Sequence, residues 1–174
     1  MFVKGGLDGD ELGALVDKAC RDVPEPPEPS AILPNPRLTP GDASAPGDLT
    51  TWCQPGYVAT YPQLTDDDRE TVFDAYAIPA DERVNYEVMR LIPAGLGGTS
   101  AKGNLFPIPR TGSPGAADKA EIDRRLTETV CAARYDLETA RANLISNWPT
   151  ALAKTFAPGT GNELPSPQTS VPRP

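Results

Sequence analysis

The segment "NYEVMRLIPAGLGGTSAKGNLFPIP", residues Asn85 to Pro109, governs how the rest of the chain is read. Residues Val84 to Ile92 alternate in polarity, with Val84, Tyr86 and Val88 on one side, which predicts a strand. A short second strand is expected over Asn104 to Ile108, and "AGLGG" between them supplies the turn. Gly95, Gly97 and Gly98 are read as turn glycines tolerating positive φ. The segment is therefore a β-hairpin. Its "GLGG" is not a phosphate-binding loop, because no Gly-Lys-Ser/Thr follows to place a lysine on phosphate.

Helices are expected on both sides of the hairpin. Upstream, "TDDDRETVFDAYAI" begins with Thr65, which can cap a helix whose positive end is met by Asp66, Asp67 and Asp68; Val72, Phe73 and Tyr76 form its buried stripe. Downstream, from Ala116 to about Trp148, Ile122, Leu126, Val130 and Ala133 recur at helical spacing. Leu137, Ala140, Leu144 and Trp148 then do the same, with Asp136 as N-cap of this last helix. The order helix, hairpin, helix, helix indicates an α+β fold with no internal repeat.

Composition divides the 174 residues. The 21 prolines are roughly double the average usage of about 5%, and they cluster near both ends, so the core belongs to the middle of the chain. The division expected is an N-terminal amphipathic helix over 1–23, a proline-rich linker or arm over 24–49, a folded domain over 50–156 and a proline-rich tail over 157–174. In the first, Leu12, Leu15, Val16 and Ala19 share a face that docks on this core or on a partner. In the arm each proline fixes φ and removes a donor, favouring extended polyproline II.

A net charge of −8 argues against general nucleic-acid binding, which needs clustered Lys and Arg. Arg124, Arg125, Arg134 and Arg141 interleave with Asp118, Glu121, Asp123, Glu128, Asp136 and Glu138, the pattern of a solvated, ion-paired face. The start "MFVKGGLDGDELG" lacks a signal-peptide apolar run and no stretch has the length of a membrane span, so cytoplasmic synthesis is expected. Cys20, Cys53 and Cys131 have no zinc-site spacing, and a chain without histidine has no Ser/His/Asp triad.

Three separated boxes resemble small bacterial and phage HNH-type (His-Me finger) endonuclease-like proteins. "YEVMRLIPAGLGGTSAKGNLFP" is similar to that family's hairpin, which typically reads tyrosine, glutamate, valine, aspartate, histidine, "LIP", an "LGG" turn and Asn-Leu-Trp-Pro. "TTWCQPGY" looks like the Cys-x-x-Gly-Tyr box before the first helix, and "DRRLTETVCAARYDLETARANLISNW" like the helical tail. The resemblance covers about Thr50 to Trp148 and implies a small ββα-type domain with flanking helices. It also implies that Cys53 and Cys131 lie close together, as a reduced buried pair in a cytosolic product or as a disulfide outside the cell.

The same resemblance places Met89 and Arg90 where the family has its metal-binding aspartate and its histidine base. A guanidinium has no lone pair for a metal and stays protonated beyond pH 12, and a thioether is too soft for Mg²⁺ or Mn²⁺. Family roles carry over only to Glu87, Asn104, Lys119 and Asp123, with Ala120 standing at another acidic position. Asn104 is then expected to bond the loop backbone and Glu87 to pair with an exposed arginine. The expectation is a noncatalytic protein with no cofactor, in which the helix and arms bind other protein subunits, as in a phage virion component such as a minor tail or head–tail protein. Two alternatives stand beside it. One is a divergent nuclease whose metal is held by Glu87 with Asp118 or Asp123; the other is a nuclease relative that binds nucleic acid or inhibits a nuclease as an acidic DNA mimic.

Overall fold

A computed structural model describes residues 33–45 and 49–155. The N-terminal helix expected over 1–23 and the tail over 157–174 lie outside the described residues, as does part of the arm. The described chain is mixed α+β. Two short helical turns, α1 (Leu49–Trp52) and α2 (Tyr57–Thr60), precede α3 (Asp66–Ala75); the strands β1 (Tyr86–Arg90) and β2 (Leu105–Pro109) follow, then α4 (Ala116–Cys131) and α5 (Leu137–Thr155). Among the described residues, no helix is long and apolar enough to cross a membrane.

The hairpin begins later than its alternation suggests. Val84 lies in a 3-10 turn, Arg83–Asn85, and is 73% exposed, so it does not share the inward face of Tyr86 and Val88. β1 and β2 run antiparallel with Val88 opposite Pro107 and Tyr86 opposite Pro109. Proline has no N–H to give, so both prolines must occupy the non-hydrogen-bonded pairs of an antiparallel ladder. The flanking bonds agree with that phase: Leu91 N–H donates to Asn104 O at 2.7 Å and Arg110 N–H to Asn85 O at 2.9 Å. Leu105, Phe106 and Ile108 are all but fully buried, because both faces of β2 are covered.

Of the three loop glycines, Gly97 alone has a positive φ, 77°. Gly95 and Gly98 are needed for space. A Cβ on Gly98 would collide with the backbone oxygen of Ile92, and one on Gly95 would sit 2.5 Å from the Thr127 side chain of α4. These glycines let the loop fold back on the hairpin and let α4 press against it.

The expected helix starts are present. Thr65 Oγ1 accepts from Asp68 N–H at 3.1 Å while Asp68 Oδ2 accepts from Thr65 N–H at 2.8 Å, a reciprocal capping box. Asp136 Oδ1 accepts from Thr139 N–H at 2.8 Å at the start of α5. The stripe residues Val72, Phe73 and Tyr76, then Ile122, Leu126 and Val130, then Leu137, Ala140, Leu144 and Trp148, are all buried in one core. Ala133 is not in it. It takes φ 54° beyond the end of α4, where Arg134 N–H donates to Thr129 O and Ala133 N–H to Val130 O, a Schellman-type stop. α5 extends past Trp148 to Thr155, across a break at Asn147 (φ −171°, ψ 87°) just before Pro149, whose ring cannot continue the regular ladder.

The proline-rich arm is not wholly a spacer. Residues 33–45 lie along the hairpin loop: Gly41 N–H donates to Gly103 O at 2.8 Å, Ser44 N–H to Gly97 O at 2.9 Å, and Ala43 bridges Gly98. Thr39, which is 1% exposed, donates to Leu105 O and shares a 2.7 Å bond with the Tyr76 hydroxyl. Prolines remove donors, but Thr39, Gly41 and Ser44 between them supply enough to strap the segment down.

Arg141 corrects the expectation of one solvated basic face. It is 6% exposed, donates to Leu96 O at 2.9 Å and Ser44 O at 3.1 Å, and lies over the Trp52 ring. It joins α5, the loop and the strap. Arg124 and Arg125 do form the ion-paired face, with Glu121 and Glu128.

Candidate functional site

β1, the hairpin loop and α4 line an open cleft of about 850 Å³, with residues from Trp52 to Leu64 also lining it. Glu87, Met89 and Arg90 reach it from β1, Asp123, Arg124 and Thr127 from α4, and Tyr57, Val58 and Tyr61 from the covering segment. Strand periodicity puts Glu87 and Met89 on the face opposite the inward Tyr86 and Val88. Helical periodicity puts Asp123 one turn after Lys119. Five of the residues singled out in the sequence therefore stand in or directly behind one cleft: Glu87, Met89, Arg90, Lys119 and Asp123.

Arg90 is held as a structural cation. Its Nη2 donates to Pro62 O and to Ser100 Oγ, each at 2.8 Å, and its guanidinium lies 4.9 Å from the centre of the Tyr61 ring. Its Nε is buried with no acceptor among the described residues. Burial lowers its affinity for its proton, opposed by the fields of Tyr61 and Asp68.

Lys119 is fully buried and gives its ammonium to both carboxylate oxygens of Asp123, at 2.5 and 2.6 Å. Asp123 keeps 15% of its side chain exposed, on the cleft side. Burial pushes the Asp123 carboxyl up to about 6 against the opposing pull of Lys119, and burial lowers the Lys119 ammonium against the pull of Asp123. Each partner thus holds the other toward its charged form in a place that disfavours charge.

Asn104 lies outside the cleft wall, fully buried inside the hairpin loop. Its Oδ1 accepts from Ile92 N–H at 2.9 Å, and its Nδ2 donates to Ile92 O at 2.9 Å and Thr99 O at 2.8 Å. Glu87 pairs with Arg110 at 3.3 Å across the two strands. Asp118 accepts from Gly115 N–H at 2.9 Å at the start of α4. The carboxylates of the alternative metal site, Glu87, Asp118 and Asp123, therefore have three separate partners. Among the described residues, no three His, Cys, Asp or Glu side chains gather closely enough to share a metal ion.

A disulfide joins Cys53 to Cys131, with their Cα atoms 5.4 Å apart. It ties the covering segment to the last turn of α4, and both cysteines line the far end of the cleft. Of the two expected states of this pair, reduced and buried or bonded, the structure has the bonded one, with both cysteines half-buried. Sequence reasoning did not find Tyr57, Tyr61 or Ser100 as site residues. The run of tyrosines and prolines in "QPGYVATYPQL" is the one local signal that could have pointed to them, and it does not say what the segment covers. Comparison with protein-family models, curated proteins and solved structures finds no match to this chain.

Proposed function

We propose that the chain is a noncatalytic interaction protein: an HNH-like hairpin-and-helix block retained as scaffold and used as a subunit of a larger protein assembly, such as a phage virion. One observation carries the reading. At the position where the resemblance expects the base, Arg90 stands bonded to Pro62 O and Ser100 and stacked on Tyr61, as a strut between β1, the loop and the covering segment. Such a group takes no proton and ligates no cation.

The remaining motif residues support the same reading. Asn104 fastens the loop, Glu87 pairs across the strands, and Lys119 with Asp123 forms a closed pair. The strap over 33–45 shows how proline-rich chain can lie on this surface, and such segments suit recognition because little entropy remains to be lost when they dock.

The test is affinity purification of the tagged full chain from its native source, beside a version lacking residues 1–32, which leaves the strap in place. Stoichiometric protein partners that disappear with residues 1–32 are the expected result. A lone protein in both preparations would overturn the assembly role.

A further inference from the structure

The cleft holds an under-satisfied cation. Of the charged side chains lining it, Arg69 pairs with Asp66, Glu87 with Arg110, Asp123 with Lys119, and Arg124 with Glu128. Arg90 has no ion-pair partner among the described residues; Asp68 acts on it only through space. Nη2 carries both of its hydrogen bonds, and Nε has none. A half-buried guanidinium in this state favours an anionic group beside it.

The covering wall is apolar and aromatic. Tyr57 and Tyr61 stand with ring centres 5.8 Å apart, Pro55 and Met89 lie in the same cleft, and Val58 is 54% exposed. Aromatic-lined grooves of this kind accept polyproline II, whose ring faces pack flat and whose backbone needs few donors. The ligand that satisfies both features is an extended peptide in which prolines alternate with carboxylates.

The chain contains one such peptide. Residues Pro24 to Pro29 read "PEPPEP", with Glu25 and Glu28 three residues apart, a spacing that polyproline II would set on one edge. The other proline-rich end, "ELPSPQTSVPRP", has a single carboxylate side chain and ends in Arg173 and Pro174. We propose that the Pro24–Pro29 segment of this chain docks in the cleft, its prolines on Tyr57 and Tyr61 and a glutamate beside Arg90. This deepens the reading of the chain as an interaction protein, and its test uses the purified chain alone, so it is read separately from the affinity purification that tests that reading.

Cys20, the cysteine outside the disulfide, lies four residues before Pro24 and offers a natural attachment point. A nitroxide placed there on the otherwise native full chain should remove most of the NMR signal intensity of Tyr57, Tyr61 and Met89, relative to the reduced, diamagnetic label. Mixing isotope-free labelled chain with isotope-enriched Cys20→Ser chain separates the two sources: loss in the mixture means a second copy supplies the segment, and loss only in the single-chain sample means the same copy does. Glu25→Lys with Glu28→Lys, both outside the described residues, should restore the signals at least severalfold, and Arg90→Gln should do the same in a chain whose spectrum stays dispersed. Unchanged signals at Tyr57, Tyr61 and Met89 in both samples would overturn the proposal. So would losses that persist in the Glu25→Lys, Glu28→Lys variant, or shifts at these residues caused by an added 162–174 peptide when the Cys20 label has no effect.

Discussion

Asn104→Ala should be among the most damaging single substitutions outside the apolar core. The side chain is 0% exposed and closes the loop through Ile92 N–H, Ile92 O and Thr99 O. Alanine leaves these three backbone groups without that partner. The two on Ile92 are buried, and each orphaned group costs about 1–3 kcal/mol; the Thr99 carbonyl is partly wetted and costs less. The sum is about 3–5 kcal/mol, a large share of the ~5–15 kcal/mol that holds a typical domain together. Urea unfolding followed by tryptophan fluorescence should show the midpoint falling with an unchanged slope, because the surface exposed on unfolding is the same. Asn104→Asp keeps the shape but turns a donor into an acceptor facing two carbonyls, and should cost at least as much. A loss below about 1 kcal/mol in the alanine variant would refute the claim that this motif residue fastens the scaffold.

Three other outcomes follow from the same geometry. Reducing the Cys53–Cys131 disulfide, which spans a sequence separation of 78, should lower stability by about 4 kcal/mol from released loop entropy, read as a fall in the urea midpoint on adding dithiothreitol; an unchanged midpoint would contradict it. Asp123→Asn leaves Lys119 buried without a counter-charge and should cost about 3–5 kcal/mol, whereas Lys119→Met combined with Asp123→Leu should recover most of that loss in a double-mutant cycle. Glu121 is held down at about 2 by Arg124 and Arg125, below its ordinary 4.5, so its contribution is present above pH 4.5 and is lost as the pH falls toward 2. Glu121→Gln should accordingly flatten that part of the acid limb in a stability–pH series, and an identical limb would contradict the assignment.

Much of this architecture was legible because its signals are local. The Thr65 and Asp136 caps act over three residues, and the α4 and α5 stripes repeat every three or four. The hairpin was legible too, although Val84 misled: it continues the strand's alternation but sits in a 3-10 turn with its side chain in water. What escaped depends on distant partners. Arg141 has the spacing of a solvated face, yet carbonyls at Leu96 and Ser44 and the Trp52 ring let it be buried. An arm at 33–45 was expected but its place on the hairpin loop was not, since Gly41 finds its acceptor at Gly103 and Thr39 at Leu105. Charge pattern also fails to reveal that Lys119 is wholly enclosed, because an i, i+4 Lys–Asp pair reads the same on a wet surface as behind a cleft. At the candidate site, the sequence marked Met89 and Arg90 as chemically unfit to ligate a hard metal ion or to accept a proton. It could not supply the acceptors on Pro62 and Ser100, which turn Arg90 from an isolated charge into a strut.

We propose that the cleft does no chemistry on nucleic acid, and this is tested by metal binding and DNA cleavage measured together. The full chain is titrated with Mn²⁺ by calorimetry and incubated with plasmid DNA in the same metal, beside Glu87→Ala and the double variant Met89→Asp, Arg90→His. The native chain should give no saturable heat and leave the plasmid intact. Mn²⁺-dependent cleavage by the native chain that vanishes in Glu87→Ala would contradict it and make the cleft a working nuclease site.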